Sequence, residues 1–312
     1  MPRQPRIHAP GLFHHVMARG IEGCDIFRDK TDRENFLDRL SGLLGQPNAP
    51  RLYAWALLSN HLHLLLEPTD ATLSTMMRRL LTGHAVRFNL RHKRQGHLFQ
   101  NRYKSLVVEE ETYFLELVRY IHLNPVRAGA VESLEELEHY PYTGHAALIG
   151  QRMRVEQEVE AVLSRFSAIP SRAVAAYRDF VADGIGQGKR LELSHGYGDK
   201  QTGRGGDARI LGDKIFTEEV LARQRLEKKQ EKITIEEILA QVSDHTGITV
   251  DEILGASRNR RASAVRAQFF ERAHKEAGAT LTELGRMSGR THVAVIKAIR
   301  KRQVTDAETK VT

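Results

Sequence analysis

The stretch that decides the fold is His61-Leu62-His63-Leu64-Leu65-Leu66, which follows a second apolar stretch, Tyr53-Ala54-Trp55-Ala56-Leu57-Leu58. Alternation of histidine and leucine is typical of a buried β-strand, where residues i and i+2 project from the same face. The pattern therefore predicts a pair of strands, with His61 and His63 side by side on the second. Two imidazoles on a buried strand cost free energy unless they are hydrogen-bonded or bind a metal. The spacing alone leaves both alternatives open.

The first 150 residues alternate predicted strands with predicted helices. The further predicted elements are strands at Phe13–Ala18 and Ser105–Val108 and helices at Asp32–Leu44, Leu73 to about His92 and Glu110 to about Asn124. Pro125 and Gly129 are expected to end the last helix. This order predicts an α+β fold, with helices packed on an antiparallel sheet.

The remainder of the chain is predicted to be helical, apart from one glycine-rich segment. Two helices are expected between residues 151 and 182, and the hydrophobic periodicity is then lost from Gly184 to Gly206, which predicts a linker or mobile loop. A compact, wholly helical region begins near Phe216. We therefore expect three parts: a first domain at 1–150, a helical extension and linker at 151–215, and an all-α domain at 216–312.

Composition excludes several classes of protein. With 41% hydrophobic and 28% charged residues, the chain is typical of soluble globular proteins. Its single cysteine, Cys24, excludes a disulfide framework and a cysteine-based zinc site. The apolar runs are too short to span a bilayer, and the first residues lead into no signal-peptide core. We expect a cytoplasmic protein without a membrane partner.

Basic charge is concentrated in two places, although the net charge of the whole chain is only +8. Residues 71–104 contain eight Lys or Arg and no acidic residue, residues 255–302 contain twelve against three, and the rest is acidic on balance. Such segregation favours a polyanionic partner, most plausibly nucleic acid, over two solvated helix faces. The predicted phosphate contacts of the first stretch are Arg78, Arg79, Arg87, Arg91, Lys93, Arg94, Arg102 and Lys104.

The predicted helix Glu110–Asn124 places polar groups where they could act with the histidines. Tyr113, Tyr120 and Asn124 follow one another at steps that keep them on one face. A metal held by two imidazoles and an Asn124 oxygen would keep open positions and lie near the Tyr120 hydroxyl, as in a catalytic site. A phenol is a poor nucleophile at neutral pH, and a divalent ion beside a phosphodiester would supply the help that it needs. The alternative is a half-buried structural tyrosine.

These motifs together resemble a known family. His61-Leu62-His63 resembles the His-hydrophobe-His motif of the single-tyrosine HUH endonucleases. The runs Gly96-His97-Leu98-Phe99-Gln100-Asn101-Arg102-Tyr103-Lys104-Ser105 and Tyr120-Ile121-His122-Leu123-Asn124-Pro125-Val126-Arg127-Ala128-Gly129 resemble the REP-associated tyrosine transposases. The resemblance extends from about Gly11 to Tyr142 and implies a ferredoxin- or RRM-like HUH domain.

By this resemblance, His61, His63 and Asn124 would bind a divalent metal, Mg²⁺ or Mn²⁺, and two imidazoles suit Mn²⁺ better. Tyr120 would attack single-stranded DNA, giving a 5′-phosphotyrosine and a free 3′-OH, and the reverse reaction would rejoin strands. The family recognises DNA hairpins, and some members pair as homodimers. Ser59 stands where the family often has proline, which should alter only the turn.

Two other tyrosines and a third histidine lie near these motifs. Tyr103 and Tyr113 are the alternative nucleophiles; Tyr103 is expected to contact DNA or to pack, and Tyr113 is further from Asn124. His122 is expected to point away from the Tyr120 face and to be structural.

The C-terminal basic stretch predicts a helix-turn-helix. Two helices are expected at Thr280–Arg286 and Gly289–Lys301, the second with apolar residues at Val293, Ile296 and Ile299. The alternative is an ordinary small helical bundle. Over about 70 residues the region resembles the C-terminal duplex-DNA-binding domain of the replication initiator DnaA, most closely at Gly289-Arg290-Thr291-His292 and at Ile296-Lys297-Ala298-Ile299-Arg300-Lys301.

This second resemblance implies duplex-DNA contacts. Arg290 and His292 would approach the major groove, with Lys297 on the same helix, and the backbone or minor groove would be met by Arg258, Arg260 and Arg261. DnaA-like domains carry an acid and two threonines around the histidine, where this chain has Thr291, Val293 and Ala294, so the base sequence bound is left open. No P-loop precedes the region, which excludes an initiator ATPase.

Three functions are compatible with these patterns. The first is a metal-dependent, single-tyrosine DNA strand transferase tethered to duplex DNA by its C-terminal domain. The second is a non-catalytic DNA-binding regulator derived from a transposase, against which the presence of His61, His63, Tyr120 and Asn124 argues. The third is a metal-dependent hydrolase that uses the histidine pair without the tyrosine and forms no covalent adduct.

Overall fold

A computed structural model describes residues 6–7, 9–69, 73–188, 190, 192–195, 207–230, 234–257 and 259–309. The chain divides into two compact units, residues 1–221 and residues 222–312. The first unit is α+β and the second is helical, which is the order that the sequence predicted. The predicted three-part boundaries at 150 and 215 stay predictions.

A five-stranded sheet forms the centre of the first unit, in the order β2-β3-β1-β4-β5. The strands are β1 (Phe13–Arg19), β2 (Arg51–Leu57), β3 (His61–Glu67), β4 (Lys104–Val108) and β5 (Ile210–Leu211). The pairs among the first four strands are antiparallel, as predicted. The short β5 was not predicted, and it pairs in parallel with β4 at the edge of the sheet. Two residues carry too little periodicity to be recognised as a strand from sequence.

Apolar clusters cover both faces of this sheet, because side chains along a strand alternate between faces. On one face, Leu62 and Leu64 of β3 pack with helices α1 (Lys30–Leu44) and α2 (Leu73–Arg91). On the other face, Leu65 packs with helix α3 (Glu110–His122). The histidines of β3 share the face of Leu65, so the sheet presents them beneath α3.

The helices of the first unit agree with the predicted ones within a few residues, with one informative exception. The predicted single helix Glu110–Asn124 is two helices, α3 ending at His122 and α4 at Asn124–Arg127, joined by Leu123 in a helical conformation. Pro125 lies in the first turn of α4 rather than ending the preceding helix. Proline fits there because the first-turn N–H groups need no intrahelical partner. Asn124 therefore begins a helix.

The other helices described in the first unit are α5 (Leu134–His139), α6 (His145–Leu148), α7 (Val159–Leu163), α8 (Pro170–Asp183) and α9 (Glu192–His195). Helix α10 (Lys214–Gln230) begins in the first unit and continues into the second.

Part of the predicted glycine-rich linker is packed on the first unit. Helix α9 lies within that segment, and its Leu193 is buried in the cluster beneath α3. The side chain of Lys104 on β4 donates to the carbonyl of Ser194 over 2.8 Å. Composition alone suggested a loop because a single buried leucine makes no periodic pattern. Residues 189, 191 and 196–206 of the segment lie outside the described residues.

The second unit is helical throughout its described part. Its helices are α11 (Ile235–Thr246), α12 (Val250–Leu254), α13 (Arg260–Glu276), α14 (Leu281–Met287) and α15 (His292–Thr309). Capping boxes begin α11, α12 and α14, at Thr234, Thr249 and Thr280. Gly285 of α14 lies against the turn that follows this helix. A β-carbon at Gly285 would lie 2.6 Å from the carbonyl oxygen of Arg290. The close turn between α14 and α15 thus requires glycine.

None of the helices in the described ranges has the length and hydropathy needed to cross a bilayer.

Candidate metal and tyrosine site, and DNA-binding surfaces

The two histidines of β3 lie side by side, as their alternation predicts. Their ring centroids are 5.2 Å apart and the rings meet edge to face. His63 is buried, whereas His61 is partly exposed at the start of the strand. The pair is therefore open at one end to a ligand that approaches from the surface.

Helix α3 places Tyr120 beside His63 of this pair and beside His15 of β1. The Tyr120 ring lies 5.8 Å from the ring of His63 and 6.0 Å from that of His15, measured between centroids. Leu117 and Ile121 of α3 are buried in the apolar cluster between this helix and the sheet. Their burial turns the partly buried Tyr120 of the same helix towards the histidines. The structure thus brings together a phenol and two imidazoles that are distant in sequence.

The two alternative tyrosines lie in different surroundings. The guanidinium of Arg6 stacks on the Tyr103 ring at 3.7 Å from its centroid, and Tyr103 lines a separate groove. Tyr113 packs against the edge of the cluster beneath α3. Tyr120 forms ring contacts with His63 of the pair and with His15.

Asn124 is buried at the start of α4, one turn after Tyr120. Its amide nitrogen donates to the Tyr120 carbonyl over 3.0 Å. This bond anchors the side-chain amide through its nitrogen, and an amide oxygen can serve as an acceptor or a ligand. His122, the intervening histidine, donates or accepts at the Tyr177 hydroxyl over 2.8 Å on the opposite side, which agrees with the structural role expected of it.

The described donor atoms fit a divalent cation at His61 and His63. Nδ1 of His61 is bonded to the Asn60 side-chain oxygen at 2.6 Å, and Nδ1 of His63 to Nε2 of His15 at 2.9 Å. Neither bond involves the Nε2 atom of His61 or His63, so both remain for a metal. Two imidazole nitrogens with an amide oxygen from Asn124 would form a mixed nitrogen and oxygen set for a divalent cation.

Burial keeps both imidazoles neutral, as metal binding requires. It lowers the pKa of His61 to about 4, with the Arg19 charge acting in the same direction. Burial also lowers the pKa of His63 well below its usual value. For Tyr120, burial raises the pKa of the phenol, while a hydrogen bond from Ser194 and the nearby Arg127 charge oppose that rise.

Arg127 is a site residue that the sequence analysis did not single out. Its guanidinium carbon lies 5.2 Å from the centre of the Tyr120 ring. One of its terminal nitrogens reaches the Gly184 carbonyl at 3.4 Å, whereas Nε and the other terminal nitrogen are buried without a partner among the described residues. The only sequence signal was its spacing of seven residues, two helical turns, from Tyr120.

His15 is the second residue that was missed. It is fully buried on β1, and its ring stacks on His63 at 5.1 Å between centroids. The sequence shows His14-His15 in a strand pattern, but it gives no register between β1 and β3. The pairing of His15 with Leu65 decides that it lies beside His63.

Another group of possible ligands lies on the opposite face of the sheet. Asp29, Asp32 and His92 are the only group of three or more His, Cys, Asp or Glu in the described part of the chain whose ligand atoms lie within 4.8 Å of one another. Arg91 contacts both carboxylates at 2.6 Å, so the group is already an ion-pair network joining α1 to the end of α2. Arg91 therefore has a structural partner, which the prediction of a phosphate contact did not anticipate.

The other cations of the first basic stretch are largely exposed around α2. Arg78 and Arg102 line a groove of about 870 Å³ together with Phe99 and Tyr103. Some already have partners in the protein: Arg79 with Gln46, Arg94 with His97 and Asn89, and Lys104 with Ser194. Arg87 and Lys93 are exposed. Basic charge thus lines a groove with aromatic side chains.

In the second unit some of the predicted DNA-contacting cations have partners within the protein. Arg260, Arg261, His292 and Lys297 are exposed, and the Arg261 side chain also donates to the Thr246 carbonyl over 3.1 Å. Arg290 donates to the carbonyls of Ser288, Leu254 and Gly255, which uses its guanidinium to hold the turn rather than to face outward. Arg258 lies outside the described residues.

The apolar stripe of α15 also differs from the predicted one. Val295 is fully buried and Ile299 packs on the same core, but Val293 is 46% exposed. Helix α15 begins at His292, and the turn before it sets which face meets α13. The stripe therefore starts two residues later than predicted.

Two family models match this chain, one in the first unit and one in the second. Residues 12–124 match the family model described as "Transposase IS200 like", and residues 235–301 match the model described as "Bacterial dnaA protein helix-turn-helix". The search of curated proteins found no match. The chain is also similar to a solved structure of a REP-associated tyrosine transposase bound to a REP hairpin, with 16% identity and a TM-score of 0.39 over 49% of this chain and 90% of that one.

The matched ranges contain the structural features described above. The first covers the sheet up to β4, helix α3 and Asn124, and the second covers helices α11 to α14 and most of α15. This chain therefore carries an IS200-like transposase domain at residues 12–124 and a DNA-binding helix-turn-helix domain of the bacterial DnaA type at residues 235–301.

Proposed function

We propose that this protein is a metal-dependent single-strand DNA endonuclease and strand transferase that forms a 5′-phosphotyrosine intermediate at hairpin-associated sites. The observation that carries the proposal is the position of Tyr120, whose ring meets the rings of both His63 and His15 edge to face. A phenol beside metal-binding imidazoles in a transposase domain is the arrangement expected of a tyrosine nucleophile.

His61, His63 and Asn124 would hold the divalent ion, Mg²⁺ or Mn²⁺. When bound, the ion would polarise the scissile phosphate and stabilise the charge that develops on it. The protein's own contribution is the neutral state and fixed orientation of the two imidazoles, which their burial and the bonds to Nδ1 provide. Asn124, anchored to the Tyr120 carbonyl, would hold the ligand set and the nucleophile in one geometry.

In the reaction, the Tyr120 oxygen would form a bond to phosphorus while the bond from phosphorus to the 3′ oxygen breaks. The phenol loses its proton and the departing 3′ oxygen gains one, so a 5′-phosphotyrosine and a free 3′-OH result. Arg127 would stabilise negative charge at the phosphate, because its buried guanidinium lies over the Tyr120 ring. Attack of a 3′-OH on the phosphotyrosine reverses the step and joins strands without an external energy source.

The DNA would be held at two surfaces. The groove lined by Arg78, Arg102 and Phe99 combines cations with an aromatic ring, which suits single-stranded or hairpin DNA. The exposed Arg260, His292 and Lys297 of the helix-turn-helix domain would contact duplex DNA. A homodimer, in which subunits share tyrosine helices, stays a prediction.

The decisive experiment compares wild-type protein with Tyr120→Phe and with the matched control Tyr113→Phe. Each protein is incubated with Mn²⁺ and labelled hairpin oligonucleotides taken from the flanks of its own gene, and the products are separated on denaturing gels. We expect a DNA-linked protein band for wild type and Tyr113→Phe and none for Tyr120→Phe.

Two other results would overturn this function. Cleavage by Tyr120→Phe without a covalent band would indicate a metal-dependent hydrolase. Binding without cleavage by the wild-type protein would indicate a DNA-binding regulator.

A further inference from the structure

His15 connects the histidine pair to the backbone of a distant segment. Its Nε2 lies 2.9 Å from Nδ1 of His63, and its own Nδ1 lies 2.8 Å from the carbonyl oxygen of Leu193. All three groups are buried, with His15 at 0% and Leu193 at 1% exposure. The contacts form one chain of hydrogen bonds running from helix α9 through β1 to β3.

For neutral rings of His15 and His63, these hydrogen bonds allow only one arrangement of the ring hydrogens. A carbonyl oxygen can only accept, so Nδ1 of His15 must carry its hydrogen. Nε2 of a neutral His15 is then bare and accepts from Nδ1 of His63. That donation leaves Nε2 of His63 without a hydrogen, which is the state that binds a metal.

His61 reaches the same state through a different partner. The side-chain nitrogen of Asn60 donates to the Gly23 carbonyl over 3.1 Å, so its oxygen faces Nδ1 of His61 at 2.6 Å. Nδ1 of His61 must therefore donate, and its Nε2 is bare. Separate hydrogen bonds thus leave the same nitrogen, Nε2, without a hydrogen in both His61 and His63.

We propose that His15, held by the backbone carbonyl of Leu193, is a positioning residue that fixes the tautomer and orientation of His63 for metal binding. The inference rests on the proposed function in taking His63 as a metal ligand. The proposal adds His15, which does not itself bind the ion. It also gives helix α9 of the glycine-rich segment a structural role, which is to hold His15 through the Leu193 carbonyl.

Helix α9 is anchored well enough to perform this task. Leu193 is buried in the core cluster beneath α3, and Lys104 donates to the next carbonyl, that of Ser194. Arg190 forms an ion pair with Glu116 of α3 at 3.2 Å. The Leu193 carbonyl is thereby held against β1, so the chain of bonds is built into the first unit.

The test uses three variants of the full-length protein, and a fourth, His63→Gln, serves to assign the His63 signals. His15→Leu removes both bonds, while His15→Gln keeps a donor for the carbonyl and an acceptor for His63 on a side chain of similar reach. His14→Leu is the matched control, because His14 is also buried on β1 but lies on the other face, bonded to Ser105. Trp55 fluorescence, from the single buried tryptophan of β2, verifies that each variant is folded.

Two measurements are made on each protein. Long-range ¹H–¹⁵N NMR of histidine-labelled, metal-free protein identifies the ring nitrogen that carries hydrogen, with the His63 signals assigned by their loss in His63→Gln. Calorimetry gives the affinity for Mn²⁺. We expect the Nδ1–H tautomer of His63 in wild type, His14→Leu and His15→Gln, and its loss in His15→Leu together with about a 10- to 100-fold weaker Mn²⁺ affinity.

An Nε2–H tautomer of His63 in the wild-type protein would overturn the proposal without any variant. So would a His15→Leu protein with the wild-type tautomer and affinity. If the wild-type protein showed the expected tautomer but bound no Mn²⁺, the metal site of the proposed function would be wrong, and the tautomers of the variants would alone decide the role of His15.

Discussion

At the scale of single residues, the environment of Tyr120 combines two opposing influences. Burial raises the pKa of the phenol, which keeps it protonated near neutral pH, while the hydrogen bond from Ser194 and the Arg127 charge act in the other direction. A nucleophile of this kind depends on nearby positive charge when the phosphate arrives. Arg127 supplies such charge, and its described hydrogen bond is to the Gly184 carbonyl rather than to a carboxylate.

Replacing Arg127 should therefore slow the chemical step. We expect Arg127→Met to lower the rate of covalent adduct formation about 10²- to 10³-fold, because a preorganised charge at the reacting phosphate is lost. Arg127→Lys should recover part of the rate. Single-turnover assays with a saturating hairpin oligonucleotide measure this rate.

The control is Arg178→Met, which removes an exposed arginine paired with Glu138 on the same unit. It should leave the rate within about twofold of wild type, as expected of a surface ion pair. Equal rates for Arg127→Met and wild type would show that Arg127 only packs on the ring.

At the scale of elements, arginine side chains hold the end of helix α12, in addition to the N–H of its C-cap Gly255, which donates to the Asp251 carbonyl. Arg266 of α13 donates to the carbonyls of Glu252, Ile253, Gly255 and Ser257, and Arg290 adds bonds to Leu254 and Gly255. The last carbonyls of a helix lack intrahelical partners, so these bonds satisfy them. The turn before the helix-turn-helix pair is thus built around two cations.

Removing Arg266 should destabilise the second unit. We expect Arg266→Met to lower its free energy of unfolding by about 3 kcal/mol, because several buried carbonyls lose a charged donor at once. Hydrogen–deuterium exchange of peptides from residues 250–276 measures the loss of protection.

Arg260→Met is the control on the same helix, since Arg260 is exposed at its first position. It should change stability by no more than about 0.5 kcal/mol. It should weaken duplex-DNA binding instead, because it removes an exposed cation. Unchanged exchange in Arg266→Met would show that solvent replaces the arginine at these carbonyls.

At the scale of the whole molecule, the first unit contains an unusual number of buried histidines. Burial lowers the pKa of His15, His61 and His145 to about 4, and it also lowers the pKa of His63 and His122 well below the usual histidine value. The folded state therefore keeps these rings neutral over a pH range in which the unfolded chain, with a histidine pKa of about 6.5, takes up protons. Stability that depends on these groups is fully present above pH 6.5.

As the pH falls from about 6.5 towards 4, the unfolded state binds more protons than the folded state, so the free energy of unfolding must fall. We expect a slope of about 1.4 kcal/mol per pH unit for each buried histidine. Urea unfolding of metal-free protein at several pH values, followed by Trp55 fluorescence, measures it.

The variant His145→Gln tests the attribution. His145 bonds the buried Tyr177 hydroxyl at 2.7 Å, and a glutamine amide can keep such a bond without titrating. Its slope should be smaller than that of wild type by about 1.4 kcal/mol per pH unit. A flat stability between pH 7 and 5 in both proteins would contradict the burial of these rings as neutral groups.

The sequence by itself determined the features that depend on near neighbours along the chain. Alternation in His61–Leu66 and helical periodicity around Tyr120 placed the imidazole pair, the phenol and Asn124 on recognisable elements. The charge distribution and the pattern near Gly289 indicated a second, DNA-binding region. These predictions succeed because the periods of strands and helices are local properties.

Only the tertiary structure decided which distant groups meet. The hydrogen-bond chain joins His15 to residues 48 and 178 positions away, and no local period encodes a strand register or the return of α9 to the sheet. The same holds for Arg91 and Arg290. The charge distribution predicted a DNA contact for Arg91 and the DnaA resemblance predicted one for Arg290, and packing brings Arg91 to Asp32 and Arg290 to the carbonyl of Gly255. A cation satisfies whichever buried acceptor the packed elements bring to it, and that choice is made by the fold as a whole.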